Sequence, residues 1–167
     1  MFKLLLLISL LSVSCAGYQL GGSKPAHLSH IQKIHVPLFK NDTLFVRAES
    51  LATNSMIDTL TRDGTYKISS SVSADAVLLG RIQDVEYSQV SSTRTDSLRS
   101  EELGLRVVID WSLVDAANGS QTLASGKGWG DTTFFARGNL NTARTNALPD
   151  ALQRACESIT ARIADGF

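Results

Sequence analysis

Histidine is the side chain best suited to general-base or metal chemistry, and this chain has few of them. His27, His30 and His35 are the only three, and all lie near the N-terminus. A Ser–His nucleophile is hard to build from them, because no Gly-x-Ser-x-Gly elbow is present and the second half of the chain has no histidine. A metal site would need further ligands beside them. The sequence therefore predicts no enzyme activity, no metal site and no cofactor.

Cys15 has a different kind of chemistry, because it ends an N-terminal secretory signal. Lys3 supplies a positive charge, Leu4–Leu11 form an apolar run broken only by Ser9, and small residues then lead to the cysteine. The run is shorter than the roughly 20 residues that a membrane-spanning helix needs. The stretch from Leu11 to Cys15 (LSVSC) resembles the lipobox of bacterial lipoproteins, in which the cysteine is acylated. The alternative is an ordinary cleaved signal with a chance cysteine.

This lipobox sets the predicted organisation of the chain. Residues 1–14 would be a lipoprotein signal peptide, residues 15–29 a lipidated tether, and residues 30–167 a single domain. With Cys15 acylated, Cys156 has no disulfide partner, and we expect it to be a small buried side chain. Sixteen basic residues balance sixteen acidic ones, so no broad positive field favours nucleic acid.

Arginine and lysine form the remaining candidate site, which would suit a phosphate-bearing ligand. Arg94 and Arg99 lie in the polar stretch Ser88–Glu102, Arg106 follows it, and Lys127 lies one predicted strand further on. If the last two strands pair, we expect Lys127 near the same end of the sheet as this stretch. Acidic residues are interleaved with the arginines: Asp96, Glu101 and Glu102. A solvated hairpin is therefore the alternative for each basic residue.

Hydrophobic periodicity predicts an α+β fold of order β-α-β-β-β-β-α, in which two helices pack on one face of a mixed four- to five-stranded sheet. Alternating apolar residues from Leu105 to Leu113 give the clearest strand signal. The predicted strands are Ile31–Phe39, Tyr66–Ser69, Ala76–Tyr87, Leu105–Asp115 and Gln121–Phe135, and the predicted helices are Leu44–Thr61 and Thr142–Asp165.

Three local features refine this prediction. Asn41, Asp42 and Thr43 supply candidate N-caps for the first helix. Pro149 suits a first turn, so the regular part of the last helix is expected to begin near Leu148. Three glycines share one strand face: Gly126, Gly128 and Gly130. They could allow another protein to approach closely. We favour the alternative, in which they mark a bulge or a helix packed tightly on the sheet.

Several motifs in the same order resemble the LptE family of lipopolysaccharide-assembly lipoproteins. They are Cys15-Ala16-Gly17-Tyr18 at the lipidation site, Ile34-His35-Val36-Pro37-Leu38-Phe39 in the first strand, Leu60-Thr61-Arg62-Asp63-Gly64 after the first helix, and the run from Ala74 to Ile82 (ADAVLLGRI). The Trp129 region and the final helix also occupy the expected places. The resemblance covers essentially the whole chain.

The resemblance implies a non-enzymatic protein of the outer membrane, anchored through lipid on Cys15. Such proteins plug the lumen of the β-barrel LptD, help it assemble and assist lipopolysaccharide on its way to the outer leaflet. Basic residues near the strand tips are implicated in lipopolysaccharide binding, which here would be Arg94, Arg99 and Lys127. The alternatives are a periplasm-facing lipoprotein that binds another envelope protein or lipid, and, on weaker grounds, an envelope hydrolase.

Overall fold

Two helices lie on one face of a mixed six-stranded sheet in the computed structural model, which describes residues 24–89, 102–135 and 139–166. This confirms the predicted α+β class. In chain order the elements are β1 (Lys33–His35), β2 (Lys40–Asn41), α1 (Ala48–Asp63), β3 (Lys67–Ile68), β4 (Ala76–Gln89), β5 (Glu102–Asp115), β6 (Thr122–Phe135) and α2 (Leu140–Asp165).

The sheet has the strand order β3-β1-β4-β5-β6, and β2 also pairs with β4. The long strands β4, β5 and β6 are antiparallel, whereas β1 and β2 run parallel to β4. Only Lys33–His35 of the predicted strand Ile31–Phe39 forms a strand, and a second short strand follows Pro37 at Lys40–Asn41. Proline cannot donate to a strand ladder, so pairing stops there and resumes at Lys40.

The core lies between the helices and one face of this sheet. On β5 the alternating residues that the sequence singled out are buried: Leu105, Val107, Ile109, Trp111 and Leu113. Both helices supply the other wall, with Met56 and Leu60 from α1 and Leu152 and Ile159 from α2 fully buried. The opposite sheet face carries most of the charged side chains of the three long strands.

Helix α1 begins later than predicted, at Ala48, and none of the three expected caps serves it. The Asn41 side chain instead clamps the preceding loop. Its Nδ2 donates to the Phe45 carbonyl at 2.8 Å and to the Glu49 carboxylate at 2.9 Å, while its Oδ1 accepts from the Thr43 amide. The residue at the cap position is Arg47, in a left-handed conformation with φ 70°.

Helix α2 begins earlier than expected and continues through Pro149. The Asn139 side chain accepts hydrogen bonds from the amides of Asn141 and Thr142, which fixes the start of the helix ahead of the proline. Leu148 and Ala151 on either side of Pro149 are buried, so packing offsets the backbone hydrogen bond that proline removes. Gly64 and Gly166 end the two helices in left-handed conformations, which glycine adopts without a Cβ clash.

Gly128 and Gly130 bring α2 into direct contact with β6. A Cβ on Gly128 would overlap the Ile159 side chain, and one on Gly130 would overlap the Ala151 carbonyl and the Ala155 nitrogen. The helix-packing explanation of these glycines is therefore correct. Gly126 has a different neighbour, the Trp111 ring, at 3.2 Å from an added Cβ.

The first described residues already pack on the sheet domain. Residues 26–28 form a 3-10 turn whose Leu28 is buried. The Lys24 amine donates to the Ile31 carbonyl at 2.9 Å and lies over the Tyr66 ring. Packing thus starts before residue 30. Within the three described ranges, neither helix is long and apolar enough to span a membrane.

Candidate functional site

The outward face of the sheet carries a row of alternating charges, here called the first charge row. Strand pairing places Arg81, Asp110 and Lys127 side by side on β4, β5 and β6. Arg81 binds the Asp42 carboxylate at 2.9 Å, and the Lys127 amine lies 3.5 Å from the Asp110 carboxylate. Lys127 also donates to the Gln83 side chain at 2.9 Å. Each cation of this row therefore already has an anionic neighbour.

A second charge row crosses the same three strands nearer the ends of β4 and β6. It consists of Glu86, Arg106 and Asp131 in register. Arg106 contacts both carboxylate oxygens of Asp131, at 2.6 and 3.3 Å, and this hydrogen bonding raises the arginine pKa. Because these groups are about half exposed, solvent screens their attraction and the pair contributes little to stability. The two rows together make the face polar but nearly neutral, because the extra acid of the second row balances the extra cation of the first.

Trp129 stands between the two rows at the β6 edge, with 46% of its surface exposed. The Arg162 guanidinium of α2 lies 4.9 Å from the centre of its ring. Within the described segments β6 pairs only with β5, so this tryptophan and arginine lie at an open sheet edge. Charge rows with one exposed aromatic suit contact with another polar protein surface better than capture of a strongly charged ligand.

The structure tests only part of the basic cluster that the sequence predicted. Lys127 faces Asp110 in the middle of the sheet, not at the strand tips where Gln89 and Glu102 end the described segments. The expectation that Lys127 shares an end of the sheet with the polar stretch is wrong. The residue of β6 that pairs with Glu102, at that end, is Phe135, which lies eight residues after Lys127. Arg94 and Arg99 lie outside the described residues, as does Cys15.

A second group, at the tip end of the helix face, was missed by sequence reasoning. Tyr87 on β4 faces Leu105 of β5, so its ring lies on the helix side. The Arg144 guanidinium of α2 lies 4.2 Å from the centre of the Tyr87 ring. The Phe45 ring, in the loop before α1, has its centre 6.4 Å from that of the Tyr87 ring. Burial raises the Tyr87 pKa, and nearby Arg144 partly opposes this rise. No sequence pattern links these three residues.

Two features bear on nucleophilic and metal chemistry in the described residues, the Cys156 thiol and the grouping of metal-ligating side chains. Cys156 is fully buried, its Sγ donates to the Ala52 carbonyl at 3.5 Å, and burial raises its pKa to about 12. A thiol with that pKa is protonated at neutral pH and is not an active nucleophile. No group of three or more metal-ligating side chains occurs in the part of the chain that the structure describes.

Solved structures show that the fold is shared by bacterial lipoproteins. Uncharacterized lipoprotein B from Nitrosomonas europaea is 15% identical with a TM-score of 0.53, and the match covers 89% of this chain and 90% of that one. A minor lipoprotein from Acinetobacter baumannii is 11% identical with a TM-score of 0.53, covering 80% of this chain and 92% of that one. At these identities the likeness defines the fold alone.

Sequence comparison goes further than the fold. The family profile LptE, described as lipopolysaccharide-assembly, matches residues 31–164. Because this match spans most of the chain, the protein belongs to the LptE family, and the resemblance read from its motifs is confirmed. Membership places it among the envelope lipoproteins of lipopolysaccharide assembly. A search of curated protein sequences finds no significant match.

Proposed function

We propose that this protein is a lipid-anchored outer-membrane component that plugs the β-barrel LptD, helps it assemble, and assists insertion of lipopolysaccharide into the outer leaflet. The observation that carries the proposal is the family match across residues 31–164. The periplasmic or luminal side of the outer membrane is the corresponding location. The protein would act by binding, without catalysis or cofactor.

The physical form of the domain supports a plug. A plug must keep its shape inside a barrel whose interior is polar. Contact of α2 with the backbone at Gly128 and Gly130 removes the freedom of the helix to slide on β6. The two charge rows give the outer sheet face mixed polarity without a strong net field. Such a face can lie against a polar wall while the cations of both rows keep their carboxylate partners.

Lipid on Cys15 is the proposed anchor. Stable anchoring takes more than one acyl chain, because a single chain binds membranes only marginally. Replacing Cys15→Ser should move the protein from the membrane to the soluble fraction, whereas the matched change Cys156→Ala removes the other thiol and should leave the protein membrane-bound. An unmodified N-terminus in the mass spectrum of the mature wild-type protein would contradict the anchor.

Arg94, Arg99 and Lys127 are the proposed lipopolysaccharide contacts. Replacing all three with glutamine should weaken lipopolysaccharide binding several-fold, since each loses a charge-assisted contact to phosphate. A matched triple variant of exposed cations elsewhere, namely Lys33, Lys67 and Arg62, should bind normally. Because Asp110 competes for Lys127, the change Asp110→Asn should strengthen binding. If both triple variants bind lipopolysaccharide equally well, Arg94, Arg99 and Lys127 are solvent-exposed residues and not lipopolysaccharide contacts.

Co-purification separates the plug from the alternative of a lipoprotein that binds another envelope component. Extraction of the tagged protein from membranes in mild detergent should yield a large β-barrel in equal amount. A Cys15→Ser variant should assemble less complex, while an existing complex should survive without the lipid, since the barrel itself would hold the plug. Recovery of this protein with a different envelope partner and no barrel would favour the alternative.

A further inference from the structure

Strand β6 presents a long open edge of the sheet. Within the described residues it pairs only with β5, so every second one of its 14 residues points its backbone N–H and C=O away from the sheet. The pairing with β5 is regular from Ser125 to Thr133. This stretch contains no proline and no bulge, two features that often keep a second strand from adding to an edge. The middle of β6 can therefore accept another strand.

The outward side chains of this stretch are arranged symmetrically about Trp129. Lys127 comes two residues before the tryptophan and Asp131 two residues after it, and all three project from the exposed face of the sheet. A second copy of β6 can lie antiparallel to the first with the two Trp129 residues opposite each other. Lys127 of each copy is then opposite Asp131 of the other copy. Opposite charges directly across two antiparallel strands stabilise the pair, whereas like charges destabilise it.

The same register joins the two charge rows of one copy to those of the other. The first charge row reaches the β6 edge with Lys127 and has one cation more than it has anions. The second charge row reaches the same edge with Asp131 and has one anion more than it has cations. The first row of one copy would continue into the second row of the other, so that charges of alternating sign cross both sheets without a break. The excess charge of each row is thereby balanced.

Other registers of the two strands lack this match. Sliding one strand by two residues places Trp129 opposite Lys127 or Asp131 of the other copy, and both charge pairs are lost. Sliding it by four residues places two Lys127 residues, or two Asp131 residues, opposite each other. A parallel pair in register also puts like charges side by side. Charge therefore selects the antiparallel register centred on Trp129.

Trp129 lies at the centre that this register defines. Its side chain is nearly half exposed, and a large aromatic residue in the middle of an interface is the type that contributes most to binding. The neighbouring residues on the helix side are Gly128 and Gly130, which have no side chain to project over the edge. Helix α2 contacts β5 as well as β6, so it lies over the sheet and not beyond its edge.

We propose that two copies of this protein form a two-fold symmetric dimer by antiparallel pairing of their β6 strands, with Trp129 on the axis and Lys127 opposite Asp131 of the second copy. The contact uses the same edge of both copies, so it closes at two and does not propagate into a filament. The dimer goes beyond the proposed function and does not rest on it. It would cover an edge strand that is otherwise open to aggregation before the protein meets a barrel.

Analytical ultracentrifugation of the full mature lipoprotein in detergent tests the dimer. The wild type should sediment as a dimer in equilibrium with its monomer. Lys127→Glu and Asp131→Lys each place like charges opposite one another at both charge pairs, so each should weaken dimerisation about tenfold. The matched variant Arg81→Glu makes the same change of charge on β4, two strands away from the edge, and should dimerise as the wild type does.

Mixing the two variants separates a lost contact from a damaged fold. In an equal mixture of Lys127→Glu and Asp131→Lys, opposite charges face each other at both charge pairs of a heterodimer, so dimerisation should recover. A chain that carries both substitutions should dimerise with itself for the same reason. Wild-type dimerisation by either single variant, or no recovery in the mixture, would overturn the proposal.

Disulfide cross-linking tests the register. Trp129→Cys should form a disulfide-linked dimer on mild oxidation, because opposite residues bring their Cβ atoms to within about 5 Å. Ser125→Cys alone should not, because the two copies of that residue would lie about 27 Å apart at about 3.4 Å per residue. Ser125→Cys together with Thr133→Cys should cross-link. The native Cys156 is fully buried and should not compete.

The outcomes for the dimer and for the proposed function are separate. A wild-type protein that sediments only as a monomer, or a Trp129→Cys protein that forms no cross-linked dimer, would overturn the dimer. Co-purification of a barrel with such a monomer would leave the proposed function standing, with the barrel as the occupant of the edge. A dimer that shows the predicted cross-links would support this proposal whether or not a barrel is recovered.

Discussion

At the scale of single residues, Gly130 determines how closely α2 approaches the sheet. A Cβ there would overlap the Ala151 carbonyl and the Ala155 nitrogen, which are backbone atoms that cannot rotate away. We expect Gly130→Ala to lower the free energy of unfolding by about 3 kcal/mol, at the upper end for an overpacked core. Urea denaturation followed by circular dichroism would measure this change.

Two other glycines serve as controls for that measurement. Gly119→Ala places its Cβ in open space, and Gly126→Ala meets only the Trp111 ring at 3.2 Å or more. Gly119→Ala should change the free energy of unfolding little. Gly126→Ala should lower it by less than Gly130→Ala does. A Gly130→Ala protein as stable as Gly119→Ala would show that α2 does not press on β6 as described.

Two buried groups, the Cys156 thiol and the Tyr66 phenol, should make the protein less stable at alkaline pH. Burial raises the pKa of Cys156 from 9.0 to about 12, and that of Tyr66 from 10.0 to about 12. As pH rises, the unfolded chain loses these protons first, so the folded state is favoured fully below pH 9 and less so towards pH 12. Unfolding free energy measured against pH should fall over this window.

A variant assigns part of that fall to the thiol. Cys156→Ala removes one of the two titrating groups, so its stability should decline less steeply with pH than that of the wild type. Parallel pH profiles for the two proteins would mean that the Cys156 pKa is not raised by folding. The thiol of the folded wild type should also resist alkylation at neutral pH.

The sequence predicted some residues of the site and missed others for a physical reason. Burial of Cys156 followed from its place in an apolar stripe, which is local information. The ion pair of Lys127 with Asp110 depends on strand register, which local pattern does not fix. Tyr87 and Arg144 meet only because folding brings the end of β4 near the start of α2, so neither residue type nor spacing could connect them.

At the scale of elements, the start of α1 carries local strain. Arg47 has φ 70°, the one positive φ outside glycine among the residues described. A non-glycine residue in this conformation is strained by about 1–2 kcal/mol. Glycine would relieve this strain, but its greater conformational entropy in the unfolded chain would offset part of the gain. We expect Arg47→Gly to raise the free energy of unfolding by up to about 1 kcal/mol, measured in urea. Arg62→Gly, in the last turn of α1, should instead lower the free energy of unfolding. If both variants lose a similar amount of stability, Arg47 is not strained.

An element could be predicted from the sequence where its pattern lies within one segment, and not where it depends on contacts between distant segments. Strand β5 was predictable because one face alternates over its length, a pattern visible within the segment itself. The late start of α1 was not, since it depends on contacts between segments. Phe39 donates its amide to the Thr53 hydroxyl, and the Asn41 side chain is used by Phe45 and Glu49 instead of capping a helix.

At the scale of the whole molecule, the fold separates three surfaces. The outer sheet face carries the charge rows, one end of the helix face carries Arg144 over the Tyr87 ring, and Lys24 packs over Tyr66 at the other end of α2. A plug surrounded by a barrel wall would use several surfaces at once. A lipoprotein that docks on a partner from one side would use one of them.

Photo-crosslinking in living cells distinguishes a plug inside a barrel from a lipoprotein docked on one side. A photoreactive side chain would be placed at exposed Ser125 on the outer sheet face, at Asn54 on α1 and at Thr145 on α2, with buried Leu152 as the control. The plug predicts that each of the three exposed positions forms an adduct with the same large β-barrel, and that Leu152 forms none. Adducts with the barrel from a single surface, or from no position, would contradict it.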